Sequence, residues 1–99
     1  MKTVNDTIDL TDYILQVLED DAGRTAKHPV VIGEGLDDYV DIEYGVLRAL
    51  GQVLRYRYVV IGQIYQIRKG RCLDRITIKR NDRRVVHFWF DVTAAVSKY

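Results

Sequence analysis

Between Arg55 and Val92 the chain consists of three runs rich in Tyr, Val, Ile, Phe and Trp, divided by Lys69-Gly70 and by Asn81-Asp82-Arg83. Branched and aromatic side chains suit a pleated, half-buried surface, and both dividers are turn-forming groups. The spacing predicts a three-stranded antiparallel meander over 55–67, 73–80 and 84–92. Such a meander constrains the fold strongly, because alternation along each strand fixes which side chains share a buried face.

In the third run Val86, Phe88, Phe90 and Val92 form one set, and Val85, His87, Trp89 and Asp91 the other. In the second run Ile76 and Ile78 oppose Arg75, Thr77 and Lys79. A three-residue loop, Asn81 to Arg83, brings the two apolar sets to one face, whereas a two-residue turn would turn one strand inside out. The predicted pairs are Ile78 with Val86, Ile76 with Phe88, Thr77 with His87 and Arg75 with Trp89. The first run changes phase: Tyr56, Tyr58 and Val60 are apolar at even positions, Ile61, Tyr65 and Ile67 at odd ones. Gly62 at the switch marks a β-bulge or a sharp bend, which would curl the sheet.

The N-terminal half reads differently. Ile8, Leu10, Tyr13, Ile14, Val17 and Leu18 recur at helical spacing, with Thr7 or Thr11 as the N-cap and Gly23 placed to end the helix. Val30-Val31-Ile32 is long enough only for a short edge strand, and Pro29 before it lacks an amide to donate. From Asp38 the set Val40, Leu47, Leu50 and Leu54 again fits a helix, capped by Asp37 or Asp38. Gly45 and Gly51 each cost it about 1 kcal/mol relative to Ala, so a helix starting only near Tyr44 is the alternative. With 99 residues, 47% of them hydrophobic, the chain has the size and composition of a single domain over 1–99. The expected architecture is α+β: two N-terminal helices packed on a curved antiparallel sheet of three main C-terminal strands, with a short edge strand over 30–32.

The formal net charge of +1 conceals a division. Residues 1–43 carry eleven acidic and three basic side chains, a net −8, while residues 44–99 carry twelve basic and three acidic, a net +9. Either the two halves lie against each other, within the fold or between subunits, or the basic half awaits an outside anion. The lone Cys72 forms no intramolecular disulfide and reads as a small buried hydrophobe. Met1 to Asp6 lacks the basic start and apolar run of a signal peptide, and no stretch approaches the roughly twenty apolar residues of a membrane span. A cytoplasmic protein is expected, with no membrane partner.

The polar face of the meander is the candidate site. Arg75, Thr77, Lys79, His87 and Trp89 share it, and Arg55, Arg57, Arg83 and Arg84 would add basic contacts. Trp, Tyr and Arg are the enriched anchors of protein interfaces. The same face, through Trp89, Arg75, Lys79, Arg83 and Arg84, suits stacking on nucleic-acid bases with cations on phosphates. The plainer reading is that Arg75 covers Trp89 as an ordinary cross-strand pair. A pocket between bent sheet and helices, lined by Tyr56, Tyr58, Tyr65 and Phe88, is a further candidate for a small ligand or a reaction.

Catalytic chemistry finds little support in the residues. His87 and Asp91 share a face, yet four residues of strand set them about 13 Å apart, too far for a hydrogen-bonded dyad. Asp74 falls on the apolar face, where a raised pKa would make it a pocket acid; a strand starting after it would instead leave it in solvent, which is the expected arrangement. Asp37, Asp38 and Asp41 lack the loop spacing of a calcium site, and Gly33-Glu34-Gly35 lacks the rest of a nucleotide fingerprint. No catalytic residue, metal or cofactor is expected. The expectation is a small non-enzymatic interaction or adaptor protein whose basic aromatic sheet face meets an acidic protein surface or an identical subunit in a homodimer. A nucleic-acid-binding module and a pocket protein are the alternatives.

Overall fold

The computed structural model describes residues 10–33 and 38–96. Along them run α1 (Thr11–Leu18), β1 (Val30–Val31), α2 (Tyr39–Leu54), β2 (Tyr58–Arg68), β3 (Arg71–Arg80), β4 (Val85–Asp91) and α3 (Thr93–Val96). The strands form one sheet in the order β1-β4-β3-β2. This is the α+β arrangement that the sequence predicts, with a short third helix added. Ile8 and the alternative caps Thr7 and Asp37 lie outside the described residues, as do Glu34 and Gly35. Among the described residues no helix is long and apolar enough to cross a membrane.

The meander has the predicted register. Ile78 pairs with Val86, Ile76 with Phe88, Thr77 with His87 and Arg75 with Trp89. The loop between them is closed by Arg80 and Arg84, and Arg83 adopts φ 73°, as the last residue of a three-residue hairpin loop requires. Between β2 and β3 the pairing passes from Val60 with Ile78 to Gly62 with Thr77, leaving Ile61 as the extra residue of a bulge. That bulge is the phase change visible at Gly62, and it returns Gln63, Tyr65 and Ile67 to the face of Ile76, Asp74 and Cys72.

The helical elements depart from expectation in detail. Leu10, not a threonine, occupies the N-cap of α1, and Thr11 is its first helical residue. Helix α1 stops at Leu18, so Gly23 does not end it. Gly23 instead takes φ +94° and ties the following loop to the sheet: its N–H donates to His28 at 2.8 Å and its carbonyl accepts from Trp89 at 2.7 Å. Asp38 caps α2 as predicted, its Oδ1 accepting from Val40 at 3.1 Å and Asp41 at 3.3 Å. The helix tolerates Gly51 because the neighbouring backbone needs the space: a Cβ there would lie 3.1 Å from the Tyr56 carbonyl oxygen. Because α2 continues to Leu54 and Arg55 closes it at φ 61°, β2 begins three residues later than the sequence reading places it.

Ile42, Val46, Leu47 and Leu50 of α2 pack on Ile76, Ile78, Phe88 and Phe90, all of them buried. Helix α1 adds Tyr13, Ile14 and Val17 at the margin. Strand β1 joins β4 in parallel, making the sheet mixed rather than wholly antiparallel. Its outer edge is occupied: the Gln16 amide of α1 accepts from the Val31 N–H at 2.9 Å and donates to the Val31 carbonyl at 3.3 Å. A side chain thus supplies the two bonds that another strand would make. Strand β2, at the opposite edge, has no such cover among the described residues.

Candidate interaction surface

The sheet face turned away from the helices carries the predicted constellation, but its centre is closed. Trp89 is only 9% exposed, with the guanidinium of Arg75 at 5.7 Å and that of Arg68 at 5.2 Å from its ring centre. Thr77 is buried beside it, its Oγ1 hydrogen-bonded to His87 Nδ1 at 2.8 Å. The ring is therefore held as a cross-strand pair under two cations, and its faces are not open to a base. Lys79 and His87 remain exposed on this side, with Val59 and Val85. His87 and Asp91 have separate partners. Asp91 accepts from Arg71 at 2.9 Å and from Thr93 at 2.6 Å. Burial pushes the Asp91 carboxyl up, but the bonds from Thr93 and Arg71 outweigh it and hold the group below the usual carboxylate range.

The remaining expected residues do not join that face. Arg55 and Arg57 lie before β2, and Arg83 and Arg84 in or beside the β3–β4 loop, so all four sit at one end of the sheet. Arg55 and Arg57 line a recess of about 560 Å³ with Arg48, Tyr56 and Tyr58. The expected pocket is divided for the same reason. Tyr56 and Phe88 line a separate cavity of about 260 Å³, while Tyr65 lies opposite Asp74, seven residues and about 23 Å of strand beyond Tyr58. Among the described residues the ion pairs are Arg24–Asp21, Arg71–Asp91, Arg80–Asp82 and Arg84–Asp82, and none joins the acidic half to the basic half.

The most conspicuous exposed apolar surface is one that the sequence reading passed over. Edge strand β2 leaves Val59 61%, Ile61 53%, Ile64 42%, Tyr65 47% and Ile67 70% exposed. No charged residue occurs from Tyr58 to Ile67. Natural edge strands are ordinarily blunted by charge, proline, a covering element or a β-bulge, and among the described residues this one has only the bulge at Ile61 within that stretch. The signal was present as a ten-residue uncharged run, but it reads equally well as a strand buried on both faces.

Beneath α2 lies a second feature missed in the sequence. Asp74 is not in solvent: β3 starts at Arg71, and Asp74 is buried on its helix-facing side, as is Glu43 of α2. Gln63 Nε2 donates to Asp74 Oδ2 at 2.9 Å, and the Tyr44 hydroxyl donates to Gln63 Oε1 at 2.7 Å. As carboxylates, Glu43 Oε1 and Oε2 and Asp74 Oδ1 have no donor among the described residues. Burial first, and then the hydrogen bond to Asp74, push Glu43 up to about 10. A proton held on Glu43 supplies the missing donor to Asp74. Burial, with Asp74 and Glu43 adding to it, also pushes the Tyr39 and Tyr44 hydroxyls up. Neither carboxyl lines the recesses described above. Glu43 lies three and four residues before Val46 and Leu47, and that helical spacing was the available sign of its burial. Asp38 caps α2, and among the described residues no cluster of three metal-ligating side chains occurs. Cys72 is half-buried against the core beside Tyr65.

Compared with known protein families, curated proteins and solved structures, the chain matches none.

Proposed function

We propose that this chain is a small non-enzymatic interaction protein that pairs with a second copy of itself through the β2 edge of its sheet. The carrying observation is the unequal treatment of the two edges: Gln16 occupies the backbone of β1, while β2 is long, uncharged from Tyr58 to Ile67 and open. The exposed apolar side chains of β2 amount to on the order of 500 Å² on one protomer, divided between the two faces of the sheet. Edge-to-edge pairing would cover part of that area in each copy and satisfy the free backbone groups of β2. Two-fold antiparallel pairing sets β2 against itself, and the absence of charge in that stretch leaves no like-charged pair there. Lys79 and His87 on the neighbouring strands then flank the extended sheet.

Size-exclusion chromatography with light scattering tests this. The wild type is expected at twice the 11.5 kDa of the chain, and Ile64→Lys with Ile67→Lys at the monomer mass, since an edge lysine blocks strand pairing. A monomeric wild type, or a double variant that still dimerises, overturns the proposal.

A further inference from the structure

Four cations of the C-terminal half, Arg48, Arg55, Arg57 and Lys79, lie where α2 ends, β2 begins and the β3–β4 loop turns. Three adjoining recesses open there. The first, of about 560 Å³, has Arg48, Arg55 and Arg57 around Tyr56 and Tyr58. The second, about 320 Å³, shares Arg57 and Tyr58 and adds Lys79 and Arg80. The third, about 260 Å³, shares Tyr56 and Arg80 and adds Arg84. Together they form a run of recesses bordered by one lysine and six arginines, the sixth being Arg24 of the acidic half, which Asp21 holds at 2.7 Å. Asp82 answers Arg80 at 3.1 Å and Arg84 at 3.6 Å, but among the described residues Arg48, Arg55, Arg57 and Lys79 have no ion pair.

We infer that this end of the molecule binds single-stranded nucleic acid along the recesses that share Arg57 and Tyr58. The inference is independent of pairing at the β2 edge. Guanidinium groups suit phosphate better than ammonium groups do, because the planar fork donates two parallel hydrogen bonds. Six of the seven cations here are arginines. Of the two tyrosines, both half-buried and meeting edge to face with ring centres 6.2 Å apart, Tyr56 already carries the Arg80 guanidinium 4.4 Å from its ring centre, so Tyr58 is the ring left for a base. The tyrosines give the recesses an aromatic floor between the cations, the combination by which single strands are held without sequence preference. Arg48 and Arg55 are seven residues apart along α2, about 10 Å, so the cations are spread along the site rather than gathered on one point. A strand that follows them touches several phosphates in turn.

Fluorescence anisotropy of a labelled fifteen-nucleotide single strand at low salt tests the inference. The wild type is expected to bind. With four phosphates neutralised, affinity falls roughly 50-fold between 50 and 200 mM salt. Arg48→Gln with Arg57→Gln is expected to weaken binding at least about ten-fold and to lower the salt slope by more than one unit. Lys27→Gln with Lys69→Gln removes the same charge at the opposite end of the sheet, where both residues line another recess. That control is expected to change affinity less than about two-fold. Circular dichroism and the elution volume establish that each variant is folded. No binding by the wild type at low salt overturns the inference, as does equal weakening by the two double variants, which would mark attraction to net charge alone. Tighter binding to phosphatidylserine vesicles or to polyglutamate than to the oligonucleotide overturns it in favour of a membrane or an acidic protein.

Discussion

Replacing Glu43 with glutamine is expected to stabilise the protein and to flatten its stability against pH. The unfolded side chain ionises near 4.5, whereas burial and the bond to Asp74 hold the folded one up to about 10. A raised carboxyl contributes stability that is fully present below the unfolded pKa and is lost as pH rises toward the folded one. Through that window the folded state carries one proton more than the unfolded, and stability falls by about 1.4 kcal/mol per pH unit. From pH 4.5 to pH 7 the loss is about 3 kcal/mol, a large share of the 5–15 kcal/mol typical of a domain. Gln has nearly the same volume, stays neutral and offers an amide donor to Asp74, so Glu43→Gln removes the slope and gains about 3 kcal/mol at pH 7. Asp74→Asn is expected to keep most of the slope, because burial is the larger cause of the shift. Urea unfolding at pH 5, 6, 7 and 8, followed through the fluorescence of Trp89, reads all three proteins. The groups facing Glu43 are Asp74 from β3 and Asp38 at the cap of α2, with the nearby tyrosines ionising above this range. Asp91 acts in the opposite direction and only in acid, since its lowered pKa costs stability as pH falls. A wild-type profile that is flat from pH 5 to 8, or a Glu43→Gln profile that falls in parallel with it, refutes the reasoning.

Two further substitutions test the packing. Gly51→Ala improves helix propensity by about 1 kcal/mol in an exposed helix, yet here the new Cβ would sit 3.1 Å from the Tyr56 carbonyl oxygen and 3.3 Å from the Tyr58 ring. A net loss of about 1–3 kcal/mol is therefore expected, and a higher thermal midpoint for the variant would contradict the close approach. Trp89→Ala is expected to cost about 3–5 kcal/mol, as truncating a core aromatic does, because the ring is covered by Arg68, Arg75 and the sheet. A cost below about 1 kcal/mol in chemical unfolding would mean that the ring is a free surface group.

Features that depend on neighbours in sequence were legible without the structure. The Asp38 cap, the bulge at Gly62 and the register of Ile76 with Phe88 each follow from a local rule: a side chain reaching an amide two residues on, a strand period of two, or a loop of fixed length. The shared face of Arg75, Thr77, Lys79, His87 and Trp89 followed from that register. Its exposure did not, because whether Trp89 is open depends on Arg68, which reaches it from β2. Alternation gave the side that Tyr65 faces, but not its separation from Tyr58, which is seven residues along β2.

What the sequence determined by itself was the two longer helices, the strands and the pairing of neighbouring strands in the meander, because these rest on short-range periodicity and turn chemistry. Tertiary structure alone decided that β1 joins β4 in parallel, that Gln16 closes one sheet edge while β2 has no such cover among the described residues, and that Glu43 meets Asp74 inside the core. Each of these joins residues distant in the chain, and each is selected by the desolvation of polar groups that must find a partner once buried. The division of charge was likewise visible in the sequence, but only the fold brought Arg48, Arg55 and Arg57 together at one end, beside Tyr56 and Tyr58.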